Sequence, residues 1–121
     1  MNRLPQISAS ILIAIVMALS AATSVRASGP DEDAARTLAR NNNCFKCHAL
    51  SREKDGPGWK KVAAKYRGNP KAEEKLMHHL TSGEMVKLAD GSMVHHKIIK
   101  TDPPNDQAQI KNLVDWILSL K

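Results

Sequence analysis

The pentapeptide Cys44-Phe45-Lys46-Cys47-His48 is the stretch of sequence that decides the fold of this chain. Two thiols separated by two residues can form thioether bonds to the vinyl groups of a porphyrin, and the histidine that follows them can bind its iron. We therefore predict one covalently attached haem c. Cys44 and Cys47 would hold the porphyrin, and His48 would be the proximal iron ligand.

Other interpretations of the two cysteines are open at this point. A redox-active pair of the thioredoxin type normally lies beside a βαβ unit, but no run of β-branched residues here looks like a buried parallel strand. A structural zinc site needs four ligands, and the sequence lacks a second pair of ligands at the usual spacing. A structural disulfide between Cys44 and Cys47 would leave His48 without a role.

The first 27 residues have the composition of a secretory signal peptide. A basic residue near the start, Arg3, is followed by an apolar run over 11–19 and by small residues that end in Ala27. The apolar run is too short for a settled transmembrane helix, although an uncleaved anchor is the alternative. We predict cleavage after Ala27 and a periplasmic protein, because c-type haem is attached outside the bacterial cytoplasm. Residues 28–121 would then form one domain with a single haem.

The composition of residues 28–121 indicates a small domain with limited apolar surface of its own. Its aromatic residues are Phe45, Trp59, Tyr66 and Trp116, and a flat apolar cofactor would complete so small a core. The first 27 residues hold two of the 18 basic residues and none of the 12 acidic ones, so residues 28–121 carry a net charge of +4. This charge suits an acidic redox protein or an anionic membrane face. Dispersed lysines without a nucleic-acid-binding motif argue against DNA or RNA as a partner.

Hydrophobic spacing and capping residues predict an all-α domain of about four helices. The predicted helices cover about 31–40, 59–66, 70–82 and 107–120. Asn69-Pro70 is the predicted N-cap of the third helix, and Asp106 with Gln109 forms a capping pair at the start of the fourth. We expect the fourth helix to cross the first and close the fold.

Two residues beyond the pentapeptide are predicted to help bind the haem. Pro57 has a backbone carbonyl that can accept a hydrogen bond from the second ring nitrogen of His48, and an ordinary turn is the alternative. Trp59 opens the second helix, where we expect it to contact the haem edge; its N–H could instead bond a haem propionate. His78 and His79 could be ligands in principle, but we interpret them as surface or boundary residues, because aliphatic side chains already fill the inward face of their helix.

Taken together, these residues resemble a known family. The pentapeptide, the Gly56-Pro57-Gly58-Trp59 turn, the helix to Tyr66, Pro103-Pro104-Asn105 and the closing segment 113–118 follow the order found in small bacterial class I cytochromes c. The resemblance covers nearly all of residues 28–121. It implies a class I cytochrome c fold around one covalently bound haem, His48 as proximal ligand and one-electron transfer as the function.

The sequence departs from this family at the distal iron ligand. Relatives usually place a methionine in Met-Pro-Pro, whereas this chain has Asp102-Pro103-Pro104. The segment before it looks longer than usual, and Asp90-Gly91 predicts the two-residue turn of a short hairpin within residues 85–98. The distal ligand therefore has to be found in this segment.

His96 is the predicted distal ligand. Successive side chains of a strand point to opposite faces, so His95 and His96 cannot both reach the iron. His96 would share its face with Val94 and Ile98, and placing these two apolar residues inward selects it. His95 and Met93 are the alternatives, together with a five-coordinate iron.

These observations predict an electron carrier that is not an enzyme. It would act as a monomer between redox proteins and would have no stable membrane insertion after signal removal. Lysines near the haem edge would attract the acidic docking surface of a redox partner. The lysines considered are Lys46, Lys54, Lys60, Lys61, Lys97 and Lys100. The alternative is a peroxidase-like haem enzyme or gas sensor, which needs a displaceable sixth ligand.

Overall fold

A computed structural model describes residues 28–121 of the chain. The predicted signal peptide, residues 1–27, lies outside the described residues. The described part contains the helices α1 (Glu32–Asn41), α2 (Trp59–Tyr66), α3 (Ala72–Ser82) and α4 (Gln107–Ser119), the strands β1 (Met85–Lys87) and β2 (Met93–His95), and a 3₁₀ turn (Cys44–Lys46). Every helix within residues 28–121 is too short or too polar to cross a bilayer. The predicted all-α class is confirmed.

α4 packs against each of the other three helices and forms the centre of the core. Leu113 of α4 is fully buried, as are Ala35 and Ala39 of α1, and small side chains such as alanine let two helices approach closely. The side-chain amide of Asn112 also holds the start of α1. It donates to the carbonyl oxygen of Asp31 and accepts from the N–H of Asp31, each over 2.8 Å. The predicted crossing of the first and last helices is confirmed.

The starts of α1 and α4 are fixed by side-chain caps. Asp31 accepts a hydrogen bond from the Ala34 N–H over 2.9 Å. Asp106 accepts from the N–H groups of Ala108 and Gln109 over 3.0 and 3.1 Å, and the Gln109 amide donates to its second carboxylate oxygen over 3.0 Å. These bonds satisfy N–H groups that have no partner within the helix.

The predicted N-cap of α3 at Asn69 is wrong. α3 begins at Ala72, and Lys71, which precedes it, makes no side-chain capping bond. Asn69 closes a turn before the helix instead, since its side-chain oxygen accepts from the Lys71 N–H over 2.9 Å. Asparagine favours both local turns and helix caps, so residue type alone does not separate the two.

The hairpin predicted within residues 85–98 is present, but its turn is longer than predicted. β1 and β2 pair antiparallel, with Met85 opposite His95. Leu88 N–H donates to the Ser92 carbonyl oxygen over 2.8 Å, so the loop holds three residues, 89–91, rather than two. Gly91 ends this loop with φ +88°, the left-handed conformation that three-residue hairpin loops require.

Candidate haem site

The pentapeptide folds into a 3₁₀ turn followed by a loop that returns towards it. The N–H groups of Cys47 and His48 both donate to the carbonyl oxygen of Cys44, over 3.2 and 3.0 Å. The Gly56 N–H donates to the Cys47 carbonyl oxygen over 2.8 Å and closes the loop. As a result, Cys44, Cys47 and His48 line the same cavity.

The imidazole of His48 is held from two sides. Its Nδ1–H donates to the carbonyl oxygen of Pro57 over 2.8 Å, the contact expected for Pro57, and Nε2 is left with the lone pair. A Cβ built on Gly56 would lie 2.6 Å from Cε1 of His48, so only glycine leaves room for the ring. Burial lowers the pKa of the His48 imidazole, and the neutral ring is the form that binds a metal.

Trp59 joins the proximal imidazole to the hydrophobic core. Its ring centroid lies 5.7 Å from that of His48, with the planes 29° apart. On another side it meets the ring of Trp116 edge-on, also at 5.7 Å. Trp59 is 5% exposed and lines the cavity, so it supports His48 and forms part of the cavity wall.

The cavity that these residues share has a volume of about 740 Å³. Apolar side chains of α2, α3, α4 and the segment after β2 contribute to its wall: Val62, Leu76, Leu80, Ile99, Leu113 and Ile117. Ligand pockets combine a mainly apolar lining with a few placed polar groups. This cavity has that character and is large enough for a flat apolar cofactor.

His96 faces His48 across the cavity, with their ring centroids 6.3 Å apart. A metal–imidazole bond is about 2.0 Å long and the nitrogen lies roughly 1 Å from its ring centroid, so imidazoles on opposite sides of one metal ion have centroids about 6 Å apart. Nδ1–H of His96 donates to the carbonyl oxygen of Lys97 over 3.0 Å, which leaves Nε2 for a ligand. Burial lowers the pKa of His96 as well.

The two alternatives for the distal position are placed differently. Met93 is 54% exposed, and the residues that line the cavity do not include it. His95 reaches the cavity wall but is exposed, and its Nδ1–H donates to the carbonyl oxygen of Gly83 over 2.8 Å. Of the three candidates, His96 is the one whose ring is found next to that of His48.

The strand alternation used to select His96 is only partly correct. Val94 lines the cavity as expected, but Ile98 is 51% exposed and Ile99 is buried in its place, with 8% exposed. β2 ends at His95, so alternation does not continue to residue 98. The Ile99 N–H donates to the Leu80 carbonyl oxygen over 2.9 Å, which turns the chain inward at that point.

Asn42 is a residue of the site that the sequence did not single out. It is 3% exposed. Its Oδ1 accepts from the Lys100 N–H over 2.8 Å, and its Nδ2 donates to the carbonyl oxygens of Lys100 and Leu38 over 2.9 and 3.0 Å. These bonds fasten the segment after His96 to the end of α1. The asparagine run at 41–43 is the only signal in the sequence, and it does not tell which asparagine is buried.

His79 also belongs to the site, beyond the surface or boundary role predicted for it. It lines the cavity, and its ring centroid lies 4.1 Å from that of His96. Its Nδ1–H donates to the carboxylate of Glu84 over 2.5 Å. His78 is exposed. The signal available was spacing, because His79 follows the buried Leu76 by three residues and so lies near the same helix face.

The donor set fits haem better than the other interpretations of the two cysteines. Cys44 and Cys47 are not paired with each other, and burial raises the pKa of the Cys44 thiol, whereas thioredoxin-type pairs need a lowered one. Within residues 28–121, no three His, Cys, Asp or Glu side chains are placed to hold a metal ion by themselves. An iron already bound by a porphyrin would need few ligands from the chain, and His48 and His96 would be placed to supply them.

Comparison with known proteins gives the family. The family model described as cytochrome c matches residues 32–121. The chain is similar to the crystal structure of the class 1 cytochrome MtoD from Sideroxydans lithotrophicus ES-1, with 59% identity, a TM-score of 0.70 and coverage of 75% of this chain and 97% of that chain. Among curated relatives, cytochrome c-551 of Allochromatium vinosum is 36% identical over 69% of this chain and 82% of the relative. Cytochrome c-551 of Pseudomonas aeruginosa is 31% identical over 88% and 95%.

The match therefore extends over almost the whole described part of the chain, and it includes both cysteines of the pentapeptide. Nearly the full length of the similar crystal structure is covered. The chain belongs to the cytochrome c family, and it is a small class I cytochrome with one covalently attached haem c.

Proposed function

We propose that this protein carries single electrons between redox proteins, with its haem iron bound by His48 and His96 and its porphyrin by Cys44 and Cys47. One observation carries the proposal: the two imidazoles face each other across the cavity, and each donates Nδ1–H to a backbone carbonyl. Such second hydrogen bonds orient the histidines that bind metals. Similarity to bacterial cytochromes c-551 supports the same role.

The chain contributes fixed ligands rather than a reactive site. A bound haem supplies an iron that takes up and releases one electron at a time. His48 and His96 are kept neutral, because burial lowers both pKa values. With two protein ligands no iron position is left for a substrate, which suits a carrier rather than an enzyme. A second imidazole in place of a thioether also favours a lower reduction potential.

Exposed lysines suit an acidic partner, and we propose that redox partners dock at the cavity edge, where Lys97 lies. Two of the six lysines considered are already engaged within the chain: Lys61 pairs with Glu53, and Lys54 donates to the Phe45 carbonyl oxygen over 2.6 Å. The remaining four are exposed: Lys46, Lys60, Lys97 and Lys100. Long-range attraction between such charges and an acidic surface speeds docking and weakens with added salt.

We also propose that the chain is exported to the periplasm and that residues 1–27 are removed. The composition of this segment supports the proposal. Intact mass spectrometry of the purified protein tests it. We expect the mass of residues 28–121 plus one haem, whereas the mass of the complete chain plus haem would mean that the segment is retained as an anchor.

Near-infrared magnetic circular dichroism and low-temperature electron paramagnetic resonance of the ferric protein test the ligand assignment. We expect low-spin bis-imidazole signals that are lost in His96→Ala. His95→Ala is the matched control, because this exposed neighbour should leave the signals unchanged. Iron–thioether signals that persist in His96→Ala would overturn the assignment and move the ligand to a methionine such as Met93.

Binding of external ligands tests the electron-carrier role separately. A six-coordinate iron with two protein ligands should bind carbon monoxide and cyanide slowly. Rapid binding of either to the resting protein would favour a haem enzyme or gas sensor.

A further inference from the structure

We propose that His79 and Glu84 are positioning residues that hold the ring of the distal histidine in one orientation. The proposal rests on the proposed function, since it takes His96 as the iron ligand. It addresses a separate question, namely what keeps that imidazole aimed at the iron.

Glu84 contacts the distal histidine directly and through His79. Its backbone carbonyl accepts a hydrogen bond from the His96 N–H over 2.8 Å. Its carboxylate accepts from Nδ1 of His79 over 2.5 Å. The ring of His79 lies against the ring of His96, with centroids 4.1 Å apart and planes 43° apart. One residue therefore fixes the backbone of His96 and, through His79, one side of its ring.

His79 is held on a rigid support. It lies in the last turn of α3, whose C-cap is Gly83 with φ +67°. A Cβ at Gly83 would lie 3.2 Å from the side chain of Ile98, so the end of α3 and the distal segment are closely packed. The hydrogen bond from Ile99 to Leu80 joins them again, over 2.9 Å. Movement of the α3 backbone at His79 away from His96 would have to break these contacts, and rotation of the His79 side chain would have to break its bond to Glu84.

The distal imidazole needs such a support more than the proximal one does. His48 is bonded to Pro57, nine residues away, and is enclosed by Gly56 and Trp59. Within residues 28–121, the ring of His96 makes its hydrogen bond to the carbonyl of the next residue, Lys97, a contact that moves with its own backbone. In the described part of the chain, the rings beside that of His96 are those of His48 and His79. His79 is thus the aromatic contact that can restrict rotation of the distal ring.

Spectra of the ferric holoprotein and cyanide-binding rates test the proposal. We expect His79→Ala to change the g-values of the low-spin signal and to raise the cyanide-binding rate by about tenfold, the usual size of an effect on a ligand-orienting partner. Glu84→Ala should act in the same direction. The double variant should add little, because both residues act through one contact. His78→Ala is the matched control, since His78 is the exposed neighbour on the same helix, and it should change neither quantity.

A second variant separates ring packing from hydrogen bonding and serves if His79→Ala does not fold. His79→Phe keeps a ring beside His96 but cannot donate to Glu84, so we expect g-values between those of the wild type and of His79→Ala. Thermal unfolding of each holoprotein is measured alongside. A lowered Tm with wild-type g-values and cyanide rate would show a merely structural residue and would overturn the positioning role.

His96→Ala distinguishes failure of this proposal from failure of the proposed function. If the bis-imidazole signals persist in His96→Ala and also in His96→Ala/His79→Ala, where the neighbouring imidazole cannot take its place, His96 is not the ligand and both proposals fall. If they are lost there, but His79→Ala and Glu84→Ala match His78→Ala in g-values and cyanide rate, only the positioning role is overturned.

Discussion

The ring of His48 fits beside Gly56 because glycine has no Cβ. A Cβ at this residue would come within 2.6 Å of Cε1 and 3.0 Å of Nδ1 of His48. We expect Gly56→Ala to push the ring away from Pro57 and weaken iron binding on the proximal side. Electron paramagnetic resonance of the ferric protein should then show loss of part of the low-spin signal to high-spin iron.

Gly68→Ala is the control for this substitution. No atom lies within 4 Å of a Cβ at Gly68, but its φ is +75°, and a left-handed residue with a side chain costs about 1 kcal/mol. The control should lower the free energy of unfolding without changing the spectrum. A fully low-spin spectrum in Gly56→Ala would show that the ring has room after all.

Asn42 is expected to be the polar side chain on which the distal segment depends most. Asn42→Leu keeps the number and branching of the side-chain heavy atoms but leaves the N–H and carbonyl of Lys100 without the partners they have now. Each unsatisfied buried group costs about 1–3 kcal/mol, so we expect the free energy of unfolding to fall by about 3 kcal/mol. Guanidinium titration of the holoprotein measures this. Asn41→Leu, at an exposed neighbour, should change it by less than about 0.5 kcal/mol; similar losses in both variants would contradict the assigned role.

A contact could be predicted from the sequence when the two residues that form it lie close together along the chain. The acceptor for His48 is nine residues away, in a turn whose proline restricts the choice. The partner of Asn42 is 58 residues away, and only the packing of α1 beside the distal segment brings the two together. His79 was undervalued for a related reason, since its partner His96 lies on another element.

Among the elements, α4 should show a pH-dependent stability that comes from its cap. Hydrogen bonds from the side chain and backbone of Gln109 lower the pKa of Asp106. A carboxylate with a lowered pKa stabilises the folded state above its unfolded pKa of about 3.9, and this stabilisation is lost as the pH falls through the folded pKa. We expect wild type to have a higher Tm than Asp106→Asn at pH 7, with the difference shrinking below about pH 4. Thermal unfolding at several pH values measures it.

Gln109→Ala provides the control for the cap. It removes the side-chain bond to Asp106 while leaving the backbone bonds to the carboxylate. When Gln109→Ala is present in both proteins, the Tm difference caused by Asp106→Asn should depend less on pH. A difference in Tm between wild type and Asp106→Asn that is the same at pH 3 and pH 7 would contradict the role given to the charge.

The two predicted caps show what a sequence reveals at the scale of elements. Asp106 has a reciprocal partner, Gln109, three residues later, and such a pair has few uses other than a helix start. Asn69 has no such partner, and it bonds to Lys71 in a turn instead. Helix positions followed from apolar spacing, but the start of α3 did not, because asparagine suits a local turn as well as a helix cap.

At the scale of the whole molecule, the fold is expected to depend on its cofactor. Cavity formation costs about 24 cal/mol per Å³, so a cavity of about 740 Å³ would cost about 18 kcal/mol in the apoprotein. That is at least as large as the entire stability of a small domain. We expect Cys44→Ala/Cys47→Ala, which cannot attach haem, to lose most of its helical far-ultraviolet circular dichroism.

The single variant Cys47→Ala is the comparison for haem loss. It keeps one attachment point and both imidazoles, so it should retain more helix than the double variant. A double variant with no haem absorbance but with the helical signal of wild type would show that the helices pack stably without the cofactor.

The overall architecture was predictable because the pentapeptide and the apolar spacing of the helices are local features. The cavity wall was not, since it is assembled from the three helices α2, α3 and α4 and the segment after β2. Even the choice of His96 rested on strand alternation that held for Val94 and not for Ile98. The position of His96, the proposed ligand, follows from the hydrogen bonds that hold the distal segment, to Glu84 before it and to Asn42 beside it.

The loops closed by the Asn42–Lys100 and His48–Pro57 hydrogen bonds differ in length, and this difference affects the order in which they should form during folding. Closing the loop between Asn42 and Lys100, 58 residues, costs about 1.7 kcal/mol more chain entropy than closing the nine residues between His48 and Pro57. The proximal loop should therefore form early and the distal segment late. Until the distal segment is in place, the histidines other than His48 and His96 should compete with His96 for the iron. Refolding from denaturant should thus pass through misligated species, which a pulse of acid during refolding would release by protonating the competing imidazoles.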